Sequence, residues 1–212
     1  MADKTQKRHP LLVIVSAPSG VGKTTICRGL LSRLPRLRFS VSHTTRPPRP
    51  GEKDGKDYYF VGEDDFNALM RDSAFVEFAD NHGYLYGTSR REIEYLAEKG
   101  YDILFDIDIR GAQSIKKQYP DAVSIVIVPP STEELRARLT RRGTETEDVR
   151  ERRIQRAVEE LTEITVNDWY EYIVTNADID RSITIVESIY TAERHRKHRW
   201  EGTIPTFRPA NT

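Results

Sequence analysis

The chain predicts an α/β fold, with a parallel core sheet flanked by helices and a small mixed or antiparallel insertion. Three observations carry this expectation. An apolar run at residues 11–15 passes into Ser16-Ala-Pro-Ser-Gly-Val-Gly-Lys-Thr-Thr25 and then into a helical pattern. Further apolar runs at 103–109, 123–128 and 172–175 alternate with helices and have the texture of strands buried on both faces. Between about residues 39 and 90 the sequence turns aromatic and alternating, with turn signals separating short strand-like runs.

The first element is the most specific. A strand that ends in a Gly-rich loop opening a helix is a phosphate-binding loop: Gly20 and Gly22 turn backbone N–H groups inward, and the positive end of the helix faces the same space. Such a loop holds a nucleoside triphosphate. Lys23 would reach the β and γ phosphates, and Thr24 would offer its hydroxyl to Mg²⁺. Ala17 stands where the strict pattern has its first glycine. The two glycines nearest the lysine shape the anion nest, so one extra methyl weakens the match without breaking it.

The following elements read in order. Ile26, Leu30, Leu31 and Leu34 recur at helical spacing until Pro35. Strand-like runs follow at 39–44, 57–61, 75–79 and 84–88, with a short helix announced by Asp64 and Asp65 ahead of Phe66, Leu69 and Met70. After the strands at 103–109 and 123–128, Ser131 and Glu134 form a capping box for a helix that runs to Arg142 and stops at Gly143. Thr144 or Thr146 caps the next helix, whose apolar stripe is Ile154, Ala157, Val158, Leu161 and Ile164. A last helix over 181–199 ends in Arg194-His195-Arg196-Lys197-His198-Arg199, read as cations favoured at a helix C-terminus.

Composition narrows the function classes. At 212 residues the chain is long enough to bury roughly 70 % of its surface as one domain with inserted pieces. Its 33 basic and 33 acidic residues balance, which gives no electrostatic reason to expect nucleic-acid or membrane binding, and no obligatory protein partner is evident. The single cysteine, Cys27, suits a reducing compartment, and the polar N-terminus has no apolar stretch for a signal peptide, so the cytoplasm is expected.

Two further constellations carry chemistry. Asp106 and Asp108, two apart in the run 103–109, would point their carboxylates to one side of a strand end, where a carboxylate can hold Mg²⁺ directly or through water. Arg46 and Arg49 are held close by a proline-stiffened turn that suits one phosphate group, and Tyr58 and Tyr86 could add phenolic donors. A second phosphate-bearing ligand facing the first loop follows, and a nucleoside monophosphate is the simplest candidate.

The segments 16–25, 42–60, 75–88, 103–111 and 141–147 together resemble guanylate kinase over nearly the whole chain. The resemblance implies a P-loop kinase with a core at 10–38, 97–130 and 157–200, a GMP-binding insertion at 39–96 and a lid at 131–156. The ends, 1–9 and 201–212, fall outside it. It implies transfer of the γ-phosphoryl group of ATP to GMP or dGMP, with Mg²⁺ as cofactor. ATP would lie on Ala17, Pro18, Ser19, Gly20, Val21, Gly22, Lys23, Thr24 and Thr25, with Asn176 near the adenine. Arg46, Arg49, Tyr58 and Tyr86 would take the GMP phosphate, with Glu52 on the same side. Ser42, Glu77 and Thr88 would take the base. Asp106 is implied on the Mg²⁺ side and Asp108 nearer the guanine amino group. The lid arginines Arg138, Arg142 and Arg153 would converge on the transferring phosphates.

Guanine selectivity has a physical reading beside the resemblance. Guanine offers two N–H donors side by side, which the carboxylate of Glu77 can accept together, whereas adenine presents an acceptor there and meets repulsion. Kinases of other small molecules on this fold should lack the combined Arg46, Arg49, Glu77 and Thr88 set. A non-catalytic binding module would show a damaged phosphate loop, and this loop is nearly intact.

Overall fold

The structure, a computed structural model, describes residues 9–81, 83–141, 147–166 and 168–199. Strand β1 (Leu12–Ser16) is the middle of a five-stranded, wholly parallel sheet ordered β2 (Leu37–Phe39), β7 (Asp102–Asp106), β1, β8 (Val123–Val128) and β9 (Tyr172–Thr175). Period two sends Val13, Val15 and Leu104 to one face, where Ile26 and Leu30 of α1 (Lys23–Arg33), Leu135 of α5 (Thr132–Arg141), Ala157 of α6 (Glu147–Val166) and Val186 of α7 (Ile179–Arg194) cover them. Leu12, Ile14, Ile103 and Phe105 face the other way, onto Ile93 of α3 (Arg90–Glu98) and Ile115 of α4 (Ile109–Gln118). Burial on both faces is why β1, β7 and β8 read as continuous apolar runs, whereas the edge strand β9 exposes Ile173, contrary to the expectation for 172–175.

The insertion is a four-stranded sheet ordered β4 (Tyr59–Phe60), β3 (His43–Thr44), β6 (Tyr84–Ser89) and β5 (Phe75–Asn81), in which only β3 and β4 pair in parallel. Helix α2 (Glu63–Arg71) stacks Phe66 on Phe75 at 4.6 Å between ring centroids.

Three expectations need correction. Residues 39–44 are not one strand: Leu37–Phe39 joins the core beside β7, while His43–Thr44 joins the insertion. Leu37 is buried in the core, and the Ser40 N–H still donates to the Leu104 carbonyl at 3.0 Å before the chain leaves for the second sheet. The strand expected over 103–109 stops at Asp106, because the Asp108 carboxylate caps α4 by accepting from the Gly111 N–H at 2.8 Å. Helices α3 and α4 have short stripes that the apolar spacing did not locate. The helix expected over 181–199 ends at Arg194 and gives way to a 3-10 turn, Lys197–Arg199.

That last break has a cause in the basic run. Arg194 pairs with the fully buried Asp102 at 3.6 Å, and Arg196 and Arg199 pair with the buried Glu193, so three arginines close on internal carboxylates. Asp102 also accepts from the Leu11 N–H at 2.8 Å and the Tyr190 hydroxyl at 2.5 Å. Among the described residues no helix is long and apolar enough to cross a membrane.

Candidate active site

The loop between β1 and α1 is shaped by two glycines in the left-handed region, Gly20 (φ 88°) and Gly22 (φ 101°), the second of them the N-cap of α1. One of its carbonyls is drawn outward. Val21 presents its carbonyl to Asn176 Nδ2 at 2.6 Å and to an Arg138 guanidinium nitrogen at 3.4 Å. Arg138 donates also to the Asn176 carbonyl at 3.0 Å and is aligned by Glu134 at 2.8 Å, one turn earlier in α5. Helix α5 itself begins under Ser131, whose hydroxyl accepts from the Glu134 N–H at 3.2 Å, so half of the expected capping box forms. Holding the carbonyl outside leaves the amide side of the loop free for an anion. Asn176 is buried and its remaining amide oxygen accepts from the Ser182 hydroxyl at 3.0 Å, so its side chain braces the loop.

Lys23 forms an ion pair with Asp106 and donates to the Ile107 carbonyl at 2.9 Å. Period two on β7 explains this: Asp102, Leu104 and Asp106 face α1 and α7 together, and each acid meets a cation from those helices at opposite ends of the strand. Thr24 and Thr25 are exposed on the first turn of α1, while Ala17 and Pro18 are buried. Asp106 and the Thr24 hydroxyl are hard oxygen donors. Among the described residues no group of three or more His, Cys, Asp or Glu could hold a metal ion.

Helix α6 reaches the same loop. Arg153 donates to the Ser19 hydroxyl at 3.1 Å, and Glu160 accepts from the Ser19 N–H at 3.4 Å while pairing with Arg156 at 3.4 Å. Together with Ala17, Lys23 and Asp108 these residues line a cavity of about 190 Å³. Burial pushes the Glu160 carboxyl above the usual range. Arg156 and Glu160 were missed in the sequence, although their spacing of three and seven from Arg153 puts them on one helical face with it. Arg142 lies outside the described residues.

On the insertion, Arg46 is buried and uses all three guanidinium nitrogens: it donates to both Glu52 carboxylate oxygens at 2.8 and 2.9 Å, to the Pro47 carbonyl at 2.8 Å and to the Tyr86 hydroxyl at 3.2 Å. Glu52 is locked in turn by the Arg49 N–H at 2.7 Å, and the hydrogen bonds from Arg46 hold its carboxyl below the usual range. The Tyr58 and Tyr86 rings meet edge to face at 5.8 Å, and the Arg46 guanidinium lies 5.4 Å from the Tyr58 centroid. Arg49 is exposed on the same turn, and Ser42 is half-buried at the start of β3.

Glu77 projects from β5 toward α4. Its carboxylate accepts from the Thr88 hydroxyl at 2.6 Å, and burial pushes its pKa up. Gly111 lies against it, and the Asp108 carboxylate is near enough for its charge to push that pKa up further. Six residues, Asp106 to Gly111, therefore join the two halves, with Lys23 on Asp106 and the Ile107 carbonyl at one end and Glu77 against Gly111 at the other. The expectation that Asp106 and Asp108 share one side of a strand is replaced by this: the first pairs with Lys23 at the end of β7, and the second caps α4, between the loop-side cavity it lines and the Gly111 position facing Glu77.

Comparisons agree with this architecture. The sequence profile of the family described as guanylate kinase matches residues 9–193. Guanylate kinase of Geobacter metallireducens is 46% identical over 93% of this chain and 96% of its own length. That of Alkalilimnicola ehrlichii is 44% identical over 90% and 92%. The crystal structure of guanylate kinase from Anaplasma phagocytophilum superposes with a TM-score of 0.72 at 34% identity, covering 91% of this chain and 90% of that one. With a family profile spanning nearly all the described core and relatives matched almost end to end, the chain belongs to the guanylate kinase family.

Proposed function

We propose that this enzyme transfers the γ-phosphoryl group of ATP to GMP and dGMP, with ATP on the phosphate loop and the monophosphate on the insertion. The observation that carries the reading is the segment 106–111, which the loop lysine touches at one end and the half-buried Glu77 at the other. The acceptor is a phosphate oxygen that is already ionised, so no general base is needed, and positioning with charge neutralisation supplies the catalysis.

In this reading Lys23 leaves Asp106 for the β and γ phosphates, and Arg138, Arg153 and the lid residue Arg142 gather on the transferring group. Asp106 and Thr24 would hold Mg²⁺, which when bound neutralises phosphate charge. Asn176 acts on ATP through the loop it braces. Arg46, Arg49, Tyr58 and Tyr86 take the GMP phosphate, and Glu52 aims the Arg46 fork. Glu77, Thr88, Ser42 and Asp108 take the base. The reaction belongs in the cytoplasm, where a chain whose single cysteine is a buried thiol stays reduced.

A coupled assay with ATP, Mg²⁺ and a panel of nucleoside monophosphates tests this directly. GMP is expected to be turned over with far higher kcat/KM than AMP, CMP or UMP. Equal use of AMP would overturn it.

A further inference from the structure

Gly111 stands at the third helical position of α4, two residues after the first, with nothing unusual in its backbone to require glycine. Alanine favours a helix over glycine there. The reason for glycine lies across the site. A Cβ at residue 111 would come within 2.9 Å of Glu77 Oε2 and 3.3 Å of its Cδ, and within 3.4 Å of Asp108 Oδ1. The other oxygen of Glu77 is fixed by the Thr88 hydroxyl at 2.6 Å, and the Asp108 oxygen by the Gly111 N–H at 2.8 Å. The carboxylate of Glu77 thus lies in the hollow left by a missing methyl group.

We propose that Gly111 is a specificity-positioning residue: its lack of a side chain sets where the Glu77 carboxylate lies beside Asp108, and so which base edge the pocket accepts. This rests on the reading of Glu77 as the group that meets guanine. A methyl group at 111 meets the free end of a side chain rather than backbone, so the carboxylate swings away at small expense to the fold and large expense to recognition. Gly111 touches no substrate in this scheme and works only through Glu77.

The test is a cycle of Gly111→Ala, Glu77→Gln and the double variant, each measured for kcat/KM with GMP and AMP and for thermal melting. Gly111→Ala should melt at or above the wild-type temperature and lower the GMP-to-AMP ratio roughly 10- to 100-fold, the range for a displaced charged hydrogen bond, with the loss in KM for GMP and none in KM for ATP. The double variant should match Glu77→Gln alone, since both act on one carboxylate. In the Gly111→Ala background, Glu77→Asp withdraws the carboxylate by one methylene and should recover part of the ratio. A ratio within threefold of wild type for Gly111→Ala, beside a collapse in Glu77→Gln, would overturn the role of Gly111 alone. Losses that multiply in the double variant, or a melting temperature that drops steeply, would assign the glycine to packing and overturn it too. An unchanged ratio in Glu77→Gln would instead remove the reading of Glu77 on which the inference stands.

Discussion

In the proposed reading, ligand charge on the core side is met by backbone amides and by Lys23 and Thr24, all within residues 16–25, whereas the monophosphate side draws Arg46, Glu77, Tyr86, Thr88 and Asp108 from a turn, two strands and a helix cap. The first arrangement is local and survives as long as one strand, one loop and one helix form. The second exists only when β5, β6 and α4 are docked, and it keeps a carboxylate half-buried, where loss of solvent opposes its charge. On that reading triphosphate binding is a property of a short segment, and base selection a property of the tertiary fold. Segment 106–111 is where the two meet.

Breaking the core side should have the largest effect. Lys23→Ala removes a preorganised cation from the transferring group and is expected to lower kcat by ~10²- to 10³-fold. Steady-state kinetics would show KM for GMP within about twofold of wild type, because the insertion is untouched. More than half of the wild-type turnover would contradict the role of Lys23. On the insertion side, Arg46→Ala deletes a cation held by Glu52 and Tyr86, and kcat/KM for GMP should fall roughly 10- to 100-fold, carried by KM for GMP with KM for ATP unchanged.

A subtler difference is in pH dependence. The folded-state pKa of Glu77 lies above its ordinary 4.5, so the fold favours the neutral form; its stabilising contribution is complete at low pH and is lost as pH rises through the folded value. Two results follow. Affinity for GMP should strengthen as pH climbs through that window, since only the carboxylate accepts both guanine donors, while affinity for ATP should not follow the same curve. Glu77→Gln, which cannot ionise, should melt higher than wild type above the window, with the gap closing toward acid pH. A gap that widens toward acid would mean the sign is wrong.

The smallest expected effect on activity is at the far end of β7. Tyr190→Phe removes a hydroxyl from the buried Asp102, costing about 1–3 kcal/mol of stability and a few degrees in Tm. Kinetics with ATP and GMP should be unchanged, which separates the structural acid of β7 from Asp106.

The same contrast explains what the sequence revealed. The phosphate loop was legible because its chemistry is contiguous, and the core strands because burial on both faces leaves unbroken apolar runs. The insertion is legible as a texture, yet its expected boundary at residue 39 cuts the core strand Leu37–Phe39 one residue short, since three residues carry too little periodicity to say which sheet they join. Asp108 was placed on a strand because Ile107 and Ile109 continue the alternation, and only its bond to the Gly111 N–H shows that it caps a helix. Glu77 was singled out for its match to guanine donors and by resemblance. Its burial, its bond to Thr88 and the hollow at Gly111 depend on contacts that no spacing encodes. Glu160 and Arg156 were likewise invisible, because a charged helical face reads as solvated until a loop is found against it.

The central claim, that the loop half handles phosphate and the insertion half reads guanine through Glu77, is tested most directly by the ratio of kcat/KM for GMP to that for AMP in wild type and Glu77→Gln. A site built on hydrogen bonds can reject an analogue lacking them by ~10⁴ to 10⁵. The ratio is expected to collapse by about 100-fold or more, with the loss on GMP and the poor AMP reaction little changed. A ratio that stays within about threefold, worth only ~0.7 kcal/mol, would mean that another residue reads the base.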